Sequence, residues 1–359
     1  MGEGNMTPKI SVILAAFILI NACAAPNTVK VNYDSAEISA EAALQRELAL
    51  NKILSYKKRL NTVSYPILRA ATKFCTAKRS YSMGARGSSS SDYKDAWRTT
   101  ANKIFGGDEY TVTWVAEQGP AAKSGLAVDD RILSINDVEF GTSNQQHNKF
   151  YAEASRISKN TAPIKSLLVK RGGQLLEMDI RLEKICGYPV VLQESDAVNA
   201  YADGKRIIIT KGMMRFAQQD QELALVVAHE LGHNLMGHLD KKKTNHMLGT
   251  IIDLAAAANG VSTRGTFANM GSRAFSQDFE AEADYVALYY MNAAGLPLEG
   301  SANFWRQMAA EHPGSIGTSH SASHPATSER FLAISKTITE INHKINTGLP
   351  VEPNLSDSK

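Results

Sequence analysis

Apolar and polar positions change period several times along the 359 residues, and each change marks a different kind of element. Leu44, Leu48, Ile53, Leu54, Leu60, Ile67 and Leu68 recur at helical spacing among Glu, Lys and Arg. Residues 35–74 therefore read as a long helix or helical hairpin, with Pro66 as a kink or break. Its single apolar stripe requires a partner. From Tyr110 the period falls to two. Residues 110–115 alternate, 131–135 follow a turn, and 164–170 with 175–182 form a hairpin about Gly172-Gly173. Between the first two of these strands a short helix closes at Gly125, and the Ser/Gly-rich residues 86–95 read as a flexible loop. Residues 190–192 and 206–210 are expected as short strands, with Asp203-Gly204 turning into the second. Residues 218–239 contain no Pro and carry Leu223, Val226, Val227 and Leu231 as the buried stripe of one helix. Residues 278–291 read as an amphipathic helix with acids in its first turns. Residues 247–258 are apolar but too short to span a bilayer, and 349–359 read as a disordered tail. The sum is an α+β chain.

A net charge of +3, with no basic run and no aromatic platform, argues against nucleic acid as a partner. The amino terminus changes the picture more. Lys9 precedes an apolar run over residues 10–20, followed by Asn21-Ala22-Cys23, which describes an export signal. The last residues resemble a bacterial lipobox, although Asn21 is unusual there; the resemblance implies lipidation of Cys23 and a lipid anchor to a membrane. Cleavage near Ala25 and an uncleaved anchor are the alternatives. The expected location is the cell envelope on the periplasmic side, in an oxidising compartment where Cys75 and Cys186 can form a disulfide; two buried thiols are the alternative.

The chemistry concentrates in His229-Glu230-Leu231-Gly232-His233. Two imidazoles four residues apart share one helix face and can hold one Zn2+ ion, and Glu230 beside the first is placed to take a proton from an activated water. A catalytic zinc site needs a third protein ligand. The metzincin pattern would put His at position 239, which is Leu, and Gly at 236, which is Met. His238 lies about half a turn round the helix from His229 and reads as structural. Glu280 and Asp284, four apart, offer one ligand and one acceptor for a ligand histidine's N–H, while Glu282 points off that face. A plain preference of acids for a helix N-terminus is the alternative.

Two resemblances follow. "GPAAKSGLAVDDRILSINDVEF" makes residues 77–184 resemble a circularly permuted bacterial PDZ domain, with Asp129-Asp130 where the family has a Gly-Asp turn. The resemblance implies an extended peptide held on a sheet edge, with Tyr81, Ser82, Met83 and Gly84 as the carboxylate loop; a PDZ-shaped spacer that binds no peptide is the alternative. H-E-x-x-H followed by E-x-x-x-D, with "NAYADGKRIIITKGMM" and "SHPATSERFLAI" around them, resembles the gluzincin metallopeptidases related to HtpX, BepA, the mitochondrial Oma-type protease and the CAAX prenyl proteases. That resemblance implies one zinc ion on His229, His233 and Glu280, with Glu230 as general base and Asp284 supporting a ligand histidine. It also implies that His324 approaches the zinc as a regulatory group; a plain turn packing Pro325 on the core is the alternative, and Tyr285, His324 and Arg330 are candidate oxyanion donors. The expected organisation is a signal over 1–22, a linker and helix over 23–76, a PDZ-like domain over 77–184, a peptidase domain over 185–345 and a tail over 346–359. The expected partners are protein or peptide substrates. A chaperone-like binder and a dedicated processing peptidase are the competing functions.

Overall fold

A computed structural model describes residues 28–29, 31–76, 78–159, 164–273, 276–311 and 328–355. The chain divides into two units, residues 1–45 and 46–359. In the first unit, Asp34 begins the helix by accepting the Ala36 and Glu37 amides, while Glu37 returns a bond to the Asp34 amide. That helix, α1 (Ser35–Ala70), is continuous through Pro66, so of the two expected forms the single long helix is the one present and Pro66 makes no break. Tyr65, Ile67 and Leu68 on either side of the proline are buried in the main core, and this packing holds the last turn despite the missing N–H.

The β-rich segment is built on the sheet order β2 (Ala85–Ser88), β3 (Tyr110–Val115), β4 (Arg131–Ile135), β6 (Ile164–Arg171), β7 (Gln174–Ile180). The two-residue β5 (Val138–Glu139) pairs with β4. All pairs are antiparallel, and the β6–β7 hairpin closes Arg171 onto Gln174 through Gly172-Gly173 as expected. Alternation puts Ile132, Leu167, Val169 and Ile180 on one face with Phe140 and Phe150, forming this segment's own core. Helix α2 (Asp95–Phe105), the short α3 (Pro120–Lys123) and α4 (Asn144–Ile157) surround it. Residues 86–95 are not a flexible loop. They form β2 and a 3-10 turn whose Ser89 and Ser90 are fully buried, with the Ser89 hydroxyl on the Asp108 carbonyl at 2.7 Å.

β1 (Arg79–Ser82) pairs with β8 (Glu183–Cys186), and a disulfide between Cys75 and Cys186 closes the same neck. The remaining sheet has the order β10 (Ala200–Ala202), β11 (Ile207–Thr210), β9 (Val190–Gln193), with β9 parallel to β11. β10 was not foreseen, and it is an edge strand. Helices α5 (Lys211–Phe216), α6 (Asp220–Leu235), α7 (His238–Ala258), α8 (Thr266–Arg273), α9 (Ser276–Ala293), α10 (Ser301–Glu311) and α11 (Ser328–Thr347) complete the described chain. The main core joins the second half of α1 to α6, α9, α10 and α11, so the stripe of α1 has its partner. Arg59 of α1 binds the Asp220 carboxylate at the start of α6 at 2.7 Å.

Two expectations change here. The helix foreseen over 218–239 ends at Leu235, because Gly237 adopts φ +66° and restarts the chain as α7. The described part of the tail is fastened rather than loose, since Lys344 Nζ donates to the Glu352 carbonyl at 2.7 Å and Val351 packs on the core.

Candidate metal centre

Helix α6 is buried on every side from Leu223 to Asn234, so its polar residues must find partners inside the protein. Its start is closed by Gln219 and Glu222 in a reciprocal cap. Its end is pinned by Asn234, which accepts the Gly204 amide at 2.9 Å and donates to the Arg206 carbonyl at 3.0 Å. The Asp203-Gly204 turn thereby fixes the last turn of the helix. Helix α9 crosses α6 closely at Gly232, where a Cβ would lie 2.9 Å from Val286 Cγ2 and 3.1 Å from the Ala283 carbonyl oxygen. That close approach brings Glu280 and Asp284 onto the two histidines.

Nε2 of His229 lies 3.1 Å from Nε2 of His233 and 3.3 Å from Glu280 Oε2, and His233 Nε2 lies 3.4 Å from Glu280 Oε1. All three side chains are buried. Donors held about 2.0–2.1 Å from a tetrahedral zinc ion stand roughly 3.3–3.4 Å apart, which is the spacing of this triangle. A carboxylate facing two imidazole nitrogens in a buried site also calls for positive charge between them. The donor set fits a divalent metal ion.

The other ring nitrogens are committed elsewhere. Asp284 Oδ1 accepts from His229 Nδ1 at 2.8 Å, as the residue spacing had suggested. Arg330 holds Asp284 in turn, at 2.8 Å from Nε to Oδ2 and 3.0 Å from Nη2 to Oδ1, with Nη1 3.5 Å from Glu280. His233 Nδ1 meets His238 Nδ1 at 2.8 Å, and His238 Nε2 meets Glu282 Oε2 at 2.7 Å. Glu282, ionised, can only accept, so His238 carries its proton on Nε2 and accepts at Nδ1 from His233. On both rings Nε2 is therefore the nitrogen left to face Glu280, bare on neutral His233 and on His229 once its second proton is displaced. His238 is structural, as read from the sequence, but it belongs to the support of the centre.

The electrostatics agree. Burial opposes charge on His229, yet Asp284 and Glu280 outweigh it and push the imidazole up to about 10. For His233 burial dominates and lowers it. Burial would raise Asp284, but Arg330 and His229 hold its carboxyl below the ordinary range. Glu282 is lowered first by its bond to His238. Glu230 is buried beside His229, close enough to act electrostatically on His233 and Arg330.

Two further residues border the centre without having been singled out from sequence. Trp305 of α10 packs its ring 5.0 Å from that of His229, with the Arg330 guanidinium 5.5 Å from the indole. Phe279 stacks on His238 at 4.6 Å. Their signal is weak, since an aromatic residue in a core helix needs no special explanation. The candidate oxyanion donor Tyr285 is not brought to the centre: its hydroxyl donates to Glu340 at 2.9 Å. His324 and Cys23 lie outside the described residues. Of the expected carboxylate loop, Tyr81 and Ser82 sit in β1, the Tyr81 amide donates to the Ser158 carbonyl, and the Gly84 amide to Ser82 Oγ. Two of its four residues thus already use their N–H groups within the fold.

Residues 174–338 match the model of peptidase family M48, and residues 111–147 match that of the PDZ domain. The segment 174–338 is thus similar to the peptidase domains of family M48. That family implies a bound metal, and the triangle of His229, His233 and Glu280 supplies the donors. The match begins within β7, the last strand of the β-rich sheet. The chain is similar to the mitochondrial metalloendopeptidase OMA1 of Schizosaccharomyces pombe, 28% identical over 149 residues, covering 40% of this chain and 44% of the relative. Metalloprotease LoiP of Escherichia coli is 31% identical over 142 residues, covering 37% and 56%. Metalloprotease YcaL of the same organism is 28% identical over 157 residues, covering 41% and 61%. The matched stretch spans roughly half the length of these relatives.

Proposed function

We propose that this chain is a zinc-dependent metalloendopeptidase acting on misfolded or envelope proteins, with the PDZ-like segment recruiting or regulating. The observation that carries the reading is the triangle of two Nε2 atoms and one carboxylate at 3.1–3.4 Å, next to Glu230. Similarity to three metalloproteases supports it. His229, His233 and Glu280 would hold the ion, and zinc suits a donor set of two imidazoles and one carboxylate. Bound there, zinc supplies Lewis acidity to a water and to the scissile carbonyl.

The protein's own part is proton handling and placement. Glu230 takes the proton from the attacking water and delivers it to the departing amine. Asp284 and the His238–Glu282 pair keep both imidazoles in the tautomer that leaves Nε2 bare. β10, an open edge packed beside α6, offers main-chain hydrogen bonds to an extended substrate, which makes cleavage broad in sequence preference. The edge strand β2 does the same for a chain end in the PDZ-like segment, which residues 77–184 would delimit, with the peptidase over 185–345. The export signal with its lipidation site at Cys23, together with the buried Cys75–Cys186 disulfide, supports a place on the periplasmic side of the envelope, tethered to a membrane.

Stripping the purified chain with a chelator and restoring zinc tests the reading. Cleavage of an unfolded protein should vanish and return with about one zinc per chain. Cleavage that survives chelation would sink the proposal.

A further inference from the structure

Between the two halves of the metal centre the chain makes an excursion that the chemistry does not use. Helix α7 leaves α6 at Gly237, α8 returns, and α9 with Glu280 starts three residues after α8 ends. The two helices touch through glycine. A Cβ on Gly249 would lie 2.0 Å from the Phe267 carbonyl oxygen, and one on Gly271 2.1 Å from that of Asn245. Asp253 faces the same way and caps α8 by accepting the Ala268 amide at 2.8 Å. The hairpin thus has one internal seam and one outer face.

The outer face of α7 is apolar. Met247, Leu248, Ile251 and Leu254 fall on the side opposite Gly249 and Asp253 by helical spacing, and they are 57%, 54%, 56% and 66% exposed. Ile252 beside them and Phe267 and Met270 on α8 are exposed as well. None of them belongs to a core cluster. An apolar stripe of this extent on a soluble surface marks an interaction site.

Charge says what covers it. Residues 238–273 carry Lys241, Lys242, Lys243, Arg264 and Arg273 against Asp240 and Asp253, a surplus of three, which equals the +3 of the whole chain. A tenth of the chain therefore holds all of its net positive charge. Helical spacing sets Lys241 and Lys243 at the two margins of the apolar face, and both are at least half exposed. Of the acids near that face, Asp253 is turned into the seam, while Asp240, already counted in the surplus of three, falls on the face and lies 3.3 Å from Lys243, and Glu282 lies 3.6 Å from Lys241. Lysines along the margins of an apolar helix face are the arrangement of helices that lie in an anionic membrane interface. No described helix is long and apolar enough to cross a membrane.

We propose that the α7–α8 hairpin docks on an anionic lipid surface, with Met247, Leu248, Ile251 and Leu254 among the acyl chains and Lys241 and Lys243 at the phosphates. Because the hairpin springs from both helices of the metal centre, docking would hold that centre at the bilayer surface.

A local probe tests this on the full chain, however its amino terminus behaves. An environment-sensitive fluorophore is attached at Leu254→Cys in a Cys23→Ser background, the other two cysteines being bridged. Vesicles of phosphatidylcholine with phosphatidylglycerol should shift its emission to the blue, and vesicles of phosphatidylcholine alone should not. Adding Lys241→Gln and Lys243→Gln should raise the anionic lipid needed for half the shift by about 30-fold. An unchanged emission on anionic vesicles overturns the proposal. So does a shift produced by an unfolded protein without lipid, which assigns the face to substrate, or by raising the chain's own concentration, which assigns it to a second copy.

Discussion

His233 and His238 face each other through their Nδ1 atoms at 2.8 Å, and Glu282 on the far side of His238 decides which of them carries the proton. Replacing His238 by Ala, or Glu282 by Gln, removes that decision while leaving the three metal donors in place. Zinc affinity, measured by competition with a chelating dye, should fall by about 10–100-fold. The thermal stability of the metal-free protein should change far less for Glu282→Gln, because Glu282 is partly exposed. An unchanged zinc affinity in both variants would remove His238 from the support of the centre.

Gly232 sets the distance between the two ligand-bearing helices. Gly232→Ala puts a methyl group 2.9 Å from Val286 Cγ2 and 3.1 Å from the Ala283 carbonyl oxygen, so α6 and α9 must separate. Denaturant unfolding should show a loss of about 1–3 kcal/mol. Zinc binding should weaken with it, because Glu280 moves away from His229 and His233. A variant as stable and as tight for zinc as the wild type would mean that the crossing is looser than this geometry states.

The proton balance of the centre gives a pH dependence with a definite sign. In metal-free protein His229, opposed by burial but favoured more strongly by Asp284 and Glu280, is raised to about 10. A raised folded-state value stabilises fully below the ordinary imidazole value of about 6.5, and that contribution disappears as pH rises through about 10. Zinc must displace this proton. Zinc uptake near about pH 8 should release close to one proton per ion in a weakly buffered dye assay, falling away above about pH 10. Uptake without proton release at the lower pH would contradict the assignment.

How much of this was legible depends on how local each signal is. His229, Glu230 and His233, the pair Glu280 and Asp284, and the strands Tyr110–Val115 and Arg131–Ile135 all follow from spacings within one element. The helix boundary at Gly237 was obscured because apolar spacing continues to Leu239, although a glycine there is an ordinary stop signal. The His238–Glu282 contact links residues 44 apart and depends on how two helices face each other, which no periodicity encodes. β10 is three residues long, too short for alternation to register. The segment after Gly84 read as a loose Ser-rich loop because its order comes from a distant residue, Asp108, which accepts from Ser89.

Cys75 and Cys186 are both fully buried and 111 residues apart, closing the neck at both ends of the β-rich segment. Replacing both by Ala should lower stability by about 2–4 kcal/mol through the freed denatured chain. Unfolding of the wild type with and without reductant should show the same difference. Equal midpoints under the two conditions would mean that the bridge contributes nothing to the fold.

The central claim is that Glu230 handles the proton in a metal-assisted attack on the peptide bond. The most direct measurement pairs zinc content with the rate of cleavage of an unfolded protein in Glu230→Gln. The variant keeps the triangle of His229, His233 and Glu280, so zinc content should stay near that of the wild type. Its cleavage rate should fall by about a hundredfold or more. A zinc-loaded variant that cleaves at the wild-type rate would contradict the account.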